Sequence, residues 1–354
     1  MRRLLAIVIL FVLFALIAGW LAYALYTPFQ AFPKEGVFVE VPRGASSRTI
    51  ARRLEENGII RSHWAFELLA RWKSRQALQA GEYFFDRPRN AIGVFRWIAD
   101  GHVYFRTVII PEGYNMFQIA DLLEKEGFTS RDEFLAVTRD PEPIRDLAPN
   151  ARTLEGFLFP ASYQLPRHPA ARDVVEIMLQ RFREAWAALP ESERSGRSVE
   201  QVVALASLVE KETGQPEERP VVAGVFANRL RHGMALQCDP TVIYALELAG
   251  RYKGNLLLRD LRIDSPYNTY RYAGLPPGPI ANPGESSLRA ALAPAAVDYF
   301  YFVADGDGGH VFSRTLREHN RNVALYRRKL AQNHSAAADP PPALSHKSTR
   351  KRPR

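Results

Sequence analysis

The first pattern along the chain is an uncharged apolar run, Leu4 to Tyr26, LLAIVILFVLFALIAGWLAYALY, behind Arg2 and Arg3. Its 23 residues are enough to cross a bilayer as a helix. Trp20, Tyr23 and Tyr26 gather at the far end like an aromatic belt. The arginines favour a cytoplasmic N-terminus, which leaves everything after Tyr26 outside the cytoplasm. A cleaved signal peptide is the rival, with Ala22-Tyr23-Ala24 as its cleavage pattern. The run exceeds a signal core, however, and Leu25, Tyr26 and Pro28 make a poor exit, so the reading is an uncleaved anchor. Residues 1–3 are then a cytoplasmic tip, 4–26 a transmembrane helix, and 27–35, with Pro28 and Pro33, a linker.

Next the pattern repeats itself. VEVPRGASSRTIARRLEENGII from Val39 and VIIPEGYNMFQIADLLEKEGF from Val108 align at an offset of 69. Pro42 matches Pro111, Gly44 matches Gly113, Leu54-Glu55 matches Leu123-Glu124, and Gly58 matches Gly127. Each copy predicts a strand, a Pro-x-Gly turn, and a helix closed by glycine. Ile50, Ala51 and Leu54 put one face of the first helix on a core. Between the copies, AFELLARWKSRQAL predicts a helix, LQAGEYFF a strand and NAIGVFRWIADG another helix. Residues 36–104 form one small module, and the second copy, 105–148, a bridging segment.

Beyond Pro141, Pro143 and Pro149 the period becomes mainly helical. Asp173 to Leu189 is an amphipathic helix of core type. In VEQVVALASLVEKETGQP, Val202, Val203, Leu205, Ala206, Leu208 and Val209 form a buried side, and Gly214 and Pro216 stop the helix. Glu212 falls beside Leu205 and Leu208 on the helical wheel, partly desolvated and at the negative end of the dipole. Both effects raise a carboxyl pKa, as a general acid requires. A solvated helix end fits the same wheel, and Glu210 lies only about a right angle from the apolar centre. ERPVVAGVFANRLRHG is the next helix, with Pro220 in its first turn and a stop at Gly233; Asn228 and Arg229 stand out beside its apolar face. Asp239-Pro240-Thr241 predicts an N-cap with proline at the first helical position.

Two other stretches carry recognition chemistry. In TLEGFLFPASYQLP, Thr153 to Pro166, the alternation of Phe157 and Phe159 predicts one face of a core strand. The aromatic rings also suit stacking on sugar faces, and Glu155 suits bonds to hydroxyls. Ser265 to Leu292 is rich in Tyr, Asn, Gly and Pro, predicting an ordered loop whose Tyr267, Asn268, Thr269 and Tyr270 offer flat rings, amides and hydroxyls. Ser286 and Ser287 are expected to cap the helix after it. Tyr299 to Ser313 is a hairpin with a Gly-rich turn, and Arg314 to Gln332 a closing helix. Asp305, Asp307 and His310 lack a metal-ligand spacing, so the aspartates are read as turn residues and no metal is expected.

Composition alters the picture in two places. The net charge of +9 lies partly in the tail, 333–354, whose proline and low apolar content predict disorder. The anchor holds that tail on the wrong side of the membrane for nucleic acid, leaving anionic lipid, wall polymer or plain solvent. Cys238 is the single cysteine, which excludes an internal disulfide and reads as a small packing residue.

ASLVEKET, VFANRL, HGM and LQCDPTVIYAL resemble the signature of the endolytic murein transglycosylases, the MltG or YceG-like family. TLEGFLFPASYQLP and SPYNTYRYAGLPPGPIANPGESSLRAAL match the family too, and the resemblance runs from the anchor to about residue 332. It implies an α+β chain: an N-terminal transmembrane helix, a small LysM-like β-α-α-β module at 36–104, and an α+β catalytic domain with a helical core at 149–332. By that likeness Glu212 is the catalytic residue, and Glu155, Tyr163, Asn228, Gln237, Tyr267, Asn268, Thr269 and Tyr270 are substrate-binding candidates. The implied activity is a lyase of peptidoglycan glycan strands that forms 1,6-anhydro ends in cell wall assembly, with no cofactor. The implied location is the inner (plasma) membrane, with a single pass and the catalytic domain outside the cytoplasm. Penicillin-binding proteins, the peptidoglycan synthases, are the implied partners. Two alternatives stand beside it: a lysozyme-like hydrolase with Glu155 or Asp239 as second carboxylate, and a non-catalytic wall-binding scaffold. Cys238 departs from the family, where a small hydroxyl residue is more usual, as does the basic tail.

Overall fold

In the computed structural model, which describes residues 2–338, the chain forms two compact units, one of residues 2–108 and 164–169 and the other of 109–163 and 170–338. The first unit begins with α1 (Arg2–Tyr26), a helix long and apolar enough to cross a membrane. Its side chains are exposed until the last turns, where Ala24 is buried and Leu25 packs on the unit's core. β1 (Val37–Val41) pairs antiparallel with β2 (Gly81–Phe85), and α2 (Ser47–Glu56) and α3 (His63–Trp72) connect them, followed by α4 (Ala91–Ala99). The strand period of two turns Val39 and Val41 inward and Glu40 outward. They meet Leu54, Phe66, Tyr83, Phe85 and Phe95 in one cluster, and each fully buried Leu or Phe contributes roughly 1.5–3 kcal/mol.

β3 (Arg106–Ile109) starts the second copy of the repeat and pairs with β4 (Ser162–Leu165). Between them come α5 (Met116–Lys125) and α6 (Arg131–Thr138), so the order strand, helix, helix, strand occurs twice. The sequence alignment holds at the level of backbone. Ser46 and Asn115, aligned at the offset of 69, both cap their helices, accepting from the amides of Thr49 and Gln118. Gly44 and Gly113 both sit at positive φ, 74° and 75°, a region glycine enters without a Cβ penalty. Ile50, Ala51 and Leu54 are buried, as are Ile119, Ala120 and Leu123. From Ile109 onward the second copy, expected as a bridging segment, belongs to the larger unit.

The larger unit adds α7 (Ala171–Ala188), the short α8 (Glu191–Arg194), α9 (Val199–Glu212), α10 (Arg219–Arg231), α11 (Asp239–Leu248), α12 (Glu285–Leu292), the hairpin β5 (Tyr301–Ala304) with β6 (His310–Ser313), and α13 (Leu316–Ala338). α9 is the centre, packed against α10, α11 and α12. Residues 202–209 are all buried, a wider apolar face than the wheel suggested. Gly224 lets α10 approach the chain at Ala295, whose carbonyl oxygen would lie 2.5 Å from a Cβ at that position. Taken together the chain is α+β with a helical core.

Four expectations need correction. Residues 153–160 are turns rather than a strand; Phe157 enters the core alone, edge-on to Phe182 at 5.1 Å, while Phe159 stays partly exposed. The N-cap of α11 is Cys238, so Asp239 is the first helical residue and its carboxylate is released for other work. Gly284 is the N-cap of α12, which places Ser286 and Ser287 inside the helix. Residues 333–338, expected to be disordered, continue α13, and the rest of the basic tail lies outside the described residues.

Candidate active site

Two acids close α9, and the structure gives them opposite fates. Glu210 is buried and saturated: it pairs with Arg219 at 3.0 Å and accepts the Gly284 amide at 3.0 Å, while Glu112 reaches the same guanidinium at 3.4 Å. Glu212 is partly exposed at the wall of a cavity of about 330 Å³, and its carboxyl accepts the Cys238 thiol. Desolvation raises its pKa above the ordinary carboxyl value, and the nearby Asp239 charge adds to the rise. The thiol hydrogen bond, His310 and Arg229 oppose it. A carboxyl whose pKa is raised by desolvation and which faces open space has the properties of a general acid.

Gln237, Asp239 and Tyr270 line the same cavity. The Tyr270 hydroxyl donates to Asp239 Oδ1 at 2.6 Å. Gln237 is the one non-glycine residue at positive φ among the described residues, 51°, a conformation that costs about 1 kcal/mol for an L side chain. Hydrogen bonds hold it there. Its amide donates to the Thr269 carbonyl at 3.2 Å, the Cys238 amide donates to Thr269 Oγ1 at 3.0 Å, and Thr241 Oγ1 lies 2.9 Å from that hydroxyl. Thr269 therefore supports the wall from behind, fully buried.

Arg229 lines the cavity from α10, its Nε donating to the Phe300 carbonyl at 2.7 Å and Nη1 to the Leu236 carbonyl at 2.7 Å. His310 enters from the hairpin. Glu218 binds its backbone amide and its Nδ1, both at 2.7 Å, and also accepts the Thr213 hydroxyl at 3.0 Å. Burial alone would raise the Glu218 pKa, but those donors outweigh it and hold the carboxyl below its usual value. An ionised carboxylate accepts only, so the His310 Nδ1 carries a proton. His319 stacks on Tyr301 with ring centroids 5.3 Å apart, and its buried Nδ1 has no hydrogen-bond partner among the described residues. Burial and the Arg229 charge lower its pKa. Phe226, Leu236 and Phe302 supply apolar wall. Rings, an amide, a guanidinium and imidazoles around an acid of raised pKa form a surface suited to a sugar chain.

The other expected contacts lie elsewhere. Glu155 is fully buried, accepting from the Met116 amide at 3.0 Å and from Asn282 Nδ2 at 2.9 Å; it fastens the start of α5 to the 282 loop. Burial pushes its pKa up to about 8, against the pull of the Met116 amide and the Tyr244 hydroxyl. Tyr163 is buried with its hydroxyl on the Phe159 carbonyl. Asn228 donates to the carbonyls of Val297 and Tyr299, both at 2.8 Å, and borders a different, larger hollow of about 480 Å³ that no carboxylate lines. Asn268 is buried on the carbonyls of Leu261 and Ile263, and Tyr267 lines a narrow crevice beside Arg152 and Pro279. Glu155, Tyr163, Asn228 and Asn268 hold backbone groups in place and, like Tyr267, none of them lines the cavity of Glu212. Conversely, His319 and Glu218 carry no site signal in the sequence, and His310 stands out there only as a candidate metal ligand, because three separate segments bring them together. Asp305 accepts the turn amides of Asp307 and Gly309, and Asp307 pairs with Lys329 at 2.5 Å, as turn chemistry predicts.

Known proteins resemble this chain in sequence and in fold. An endolytic murein transglycosylase of Bacillus subtilis is 35% identical over 322 residues, covering 86% of this chain and 88% of the relative. One from Streptococcus pneumoniae is 30% identical over 332 residues, 84% of this chain and 59% of that longer protein. The crystal structure of a YceG-like protein from Listeria monocytogenes superposes with a TM-score of 0.55 at 34% identity, over 82% of this chain and 99% of that one. Residues 39–325, which include α9 and every wall of the cavity, match the YceG-like family, and the chain belongs to that family.

Proposed function

We propose that the chain is a membrane-anchored endolytic lytic transglycosylase that cuts peptidoglycan strands between N-acetylmuramic acid and N-acetylglucosamine. The observation that carries this reading is Glu212: a desolvated carboxyl with a raised pKa at the end of α9, on the wall of a polar cavity. Protonated Glu212 gives its proton to the glycosidic oxygen as the bond from that oxygen to the muramic C1 breaks. The carboxylate then accepts the proton of the muramic C6 hydroxyl, whose oxygen bonds to C1 and closes a 1,6-anhydro ring. Protons balance on one residue, and no water is consumed. The nearby charges of His310 and Arg229 oppose the pKa rise of Glu212 and favour the carboxylate that the second step needs. α1 is the anchor, with residues after Tyr26 outside the cytoplasm, and residues 36–104 are a LysM-like module. Peptidoglycan synthases of the penicillin-binding type are the partners that this activity calls for.

One observation favours a second reading. Asp239 shares the cavity with Glu212, as the second carboxylate of a hydrolase would; Glu155, buried in the fold, is unsuited to that role. Digestion of purified glycan strands by the full-length chain in detergent, beside Glu212→Gln, decides between them by mass spectrometry. Ends in 1,6-anhydro-muramic acid, reduced by a factor of about 100 to 10,000 with Glu212→Gln, support the transglycosylase. Reducing ends would establish the hydrolase, and undiminished cutting by Glu212→Gln would remove this acid from the mechanism.

A further inference from the structure

On the first unit, α3 buries Ala65, Phe66, Leu69 and Ala70 and turns another face outward. That face carries Trp64, 60% exposed, Leu68, 52%, and Trp72, 82%, at spacings of four residues, which form one continuous stripe. Two tryptophans and a leucine in water are costly, since each such side chain gains roughly 1.5–3 kcal/mol on burial. What covers them follows from the neighbour of α3.

That neighbour is the end of α1. The Arg61 guanidinium, two residues before α3, lies 4.5 Å from the Tyr23 ring and 4.6 Å from the Phe29 ring, and its Nη2 donates to the Pro28 carbonyl at 3.3 Å. Asn90 binds the Tyr26 carbonyl at 3.3 Å, and Leu25 packs into the core, so α1 joins the unit without a free hinge. From Leu4 to Tyr26 the apolar run spans about 34 Å at 1.5 Å per residue, against a hydrocarbon core of about 30 Å. Tyr23 to Tyr26 therefore lie at headgroup level, where tyrosine and tryptophan concentrate. Arg61 touches that level, and α3 begins two residues further on.

Charge around the stripe points the same way. Arg48 lies 5.8 Å from the Trp64 ring, and Arg71, Lys73 and Arg75 border its other end. Glu67, the acid within α3, is turned inward and neutralised by Arg48 at 3.2 Å and Arg71 at 2.8 Å. An apolar stripe with two tryptophans and a cationic rim has the composition of a helix lying in the plane of an anionic bilayer surface.

We infer that α3 is a second membrane contact: Trp64, Leu68 and Trp72 seat in the headgroup region of the bilayer that α1 crosses, and Lys73 and Arg75 at the end of the stripe pair with anionic lipid. This inference rests on α1 as a membrane span. A helix that crosses and a helix that lies flat, joined by a packed core, hold the unit in one orientation at the surface.

The chain has five tryptophans, and they provide the test. Full-length proteins keeping only Trp20, Trp64, Trp72 or Trp186, with the others changed to Phe, are reconstituted in phosphatidylglycerol-rich vesicles containing lipid brominated near the headgroup. Trp64 and Trp72 should be quenched about as strongly as Trp20, with emission shifted to the blue and quenching that grows with the anionic fraction. Trp186, buried in α7, should be untouched. As a check that leaves the other tryptophans in place, Trp64→Phe/Trp72→Phe in the otherwise native chain should reduce the shallow-quenched fraction to that of Trp20. Quenching of Trp20 alone, with Trp64 and Trp72 open to aqueous iodide, overturns the α3 contact and leaves the anchor standing. No quenching of Trp20 overturns the span and the inference with it. Shielding from both quenchers that depends on protein density assigns the stripe to a second protein molecule and overturns the lipid contact.

Discussion

Glu155 offers a prediction whose magnitude follows from its surroundings. Its carboxyl is fully buried between α5, the 282 loop and the Tyr244 hydroxyl, and burial pushes its pKa from the usual 4.5 to about 8. The folded chain keeps this proton up to about pH 8, whereas the unfolded chain releases it near 4.5. The proton's contribution to stability is therefore whole below pH 4.5, drains away as pH rises, and is gone above about 8. At about 1.4 kcal/mol per pH unit the full loss is about 5 kcal/mol, of which about 4 kcal/mol falls between pH 5 and pH 9. Glu155→Gln copies the protonated acid. Its oxygen accepts from Met116 and Asn282, its amide donates toward Tyr244, and nothing titrates. Urea denaturation of both proteins in detergent from pH 5 to pH 9 should show near-equal stability at pH 5 and a growing advantage for Glu155→Gln above it. Other titrating groups are common to both proteins and cancel in the difference. A difference that stays constant with pH, of either sign, would refute the buried neutral acid.

Further predictions concern the cavity and its neighbours. Activity should fall as pH rises through the elevated pKa of Glu212, because only the protonated form can act as the acid. Cys238→Ala removes the hydrogen bond that favours the carboxylate and should move that limb to higher pH. Asp239→Asn removes a neighbouring negative charge and should move it lower; a pH series of initial rates reads both, and shifts of the same sign would contradict the electrostatics. Asn228→Ala strands the carbonyls of Val297 and Tyr299 and should cost about 2–4 kcal/mol in denaturation, without raising KM for glycan strands.

What the sequence made legible is backbone shape and the acid at the end of α9. Caps, glycine turns and the 69-residue repeat are local, so Ser46, Asn115, Gly44 and Gly113 appear where local rules put them. Glu212 stands out by its place on a wheel and by resemblance, and the structure sets it at a cavity wall, yet its separation from Glu210 was beyond the wheel. That distinction depends on Arg219 and Gly284, nine and seventy-four residues away. The polar candidates Glu155, Asn228 and Asn268 illustrate the converse error. A buried polar side chain must be hydrogen-bonded, and a motif rich in such groups looks the same whether they bind a sugar or bind the loop itself. Tyr270 and Asn268 are two residues apart; one faces the cavity and the other is buried on backbone carbonyls.

The repeat carries this point furthest. In the first copy the turn Pro42-Arg43-Gly44 is solvent-facing. In the second, the turn of the same backbone shape is a bracket for α9, the helix that carries Glu212. Glu112 pairs with Arg219, the Gly113 amide donates to the Asn282 carbonyl at 2.9 Å, and the Gly113 carbonyl accepts Lys211 Nζ at 3.2 Å. Lys211 is the residue between the two acids of α9, so this turn grips the last turn of the helix on the side away from the cavity wall. Glu155 caps α5 directly behind it. A duplicated fragment thus supplied a stiff support on which Glu212 is held, and the difference between the copies lies in partners rather than in shape. An inward-facing acid needs such a support, because burial that raises its pKa also favours any motion that would return the carboxylate to water.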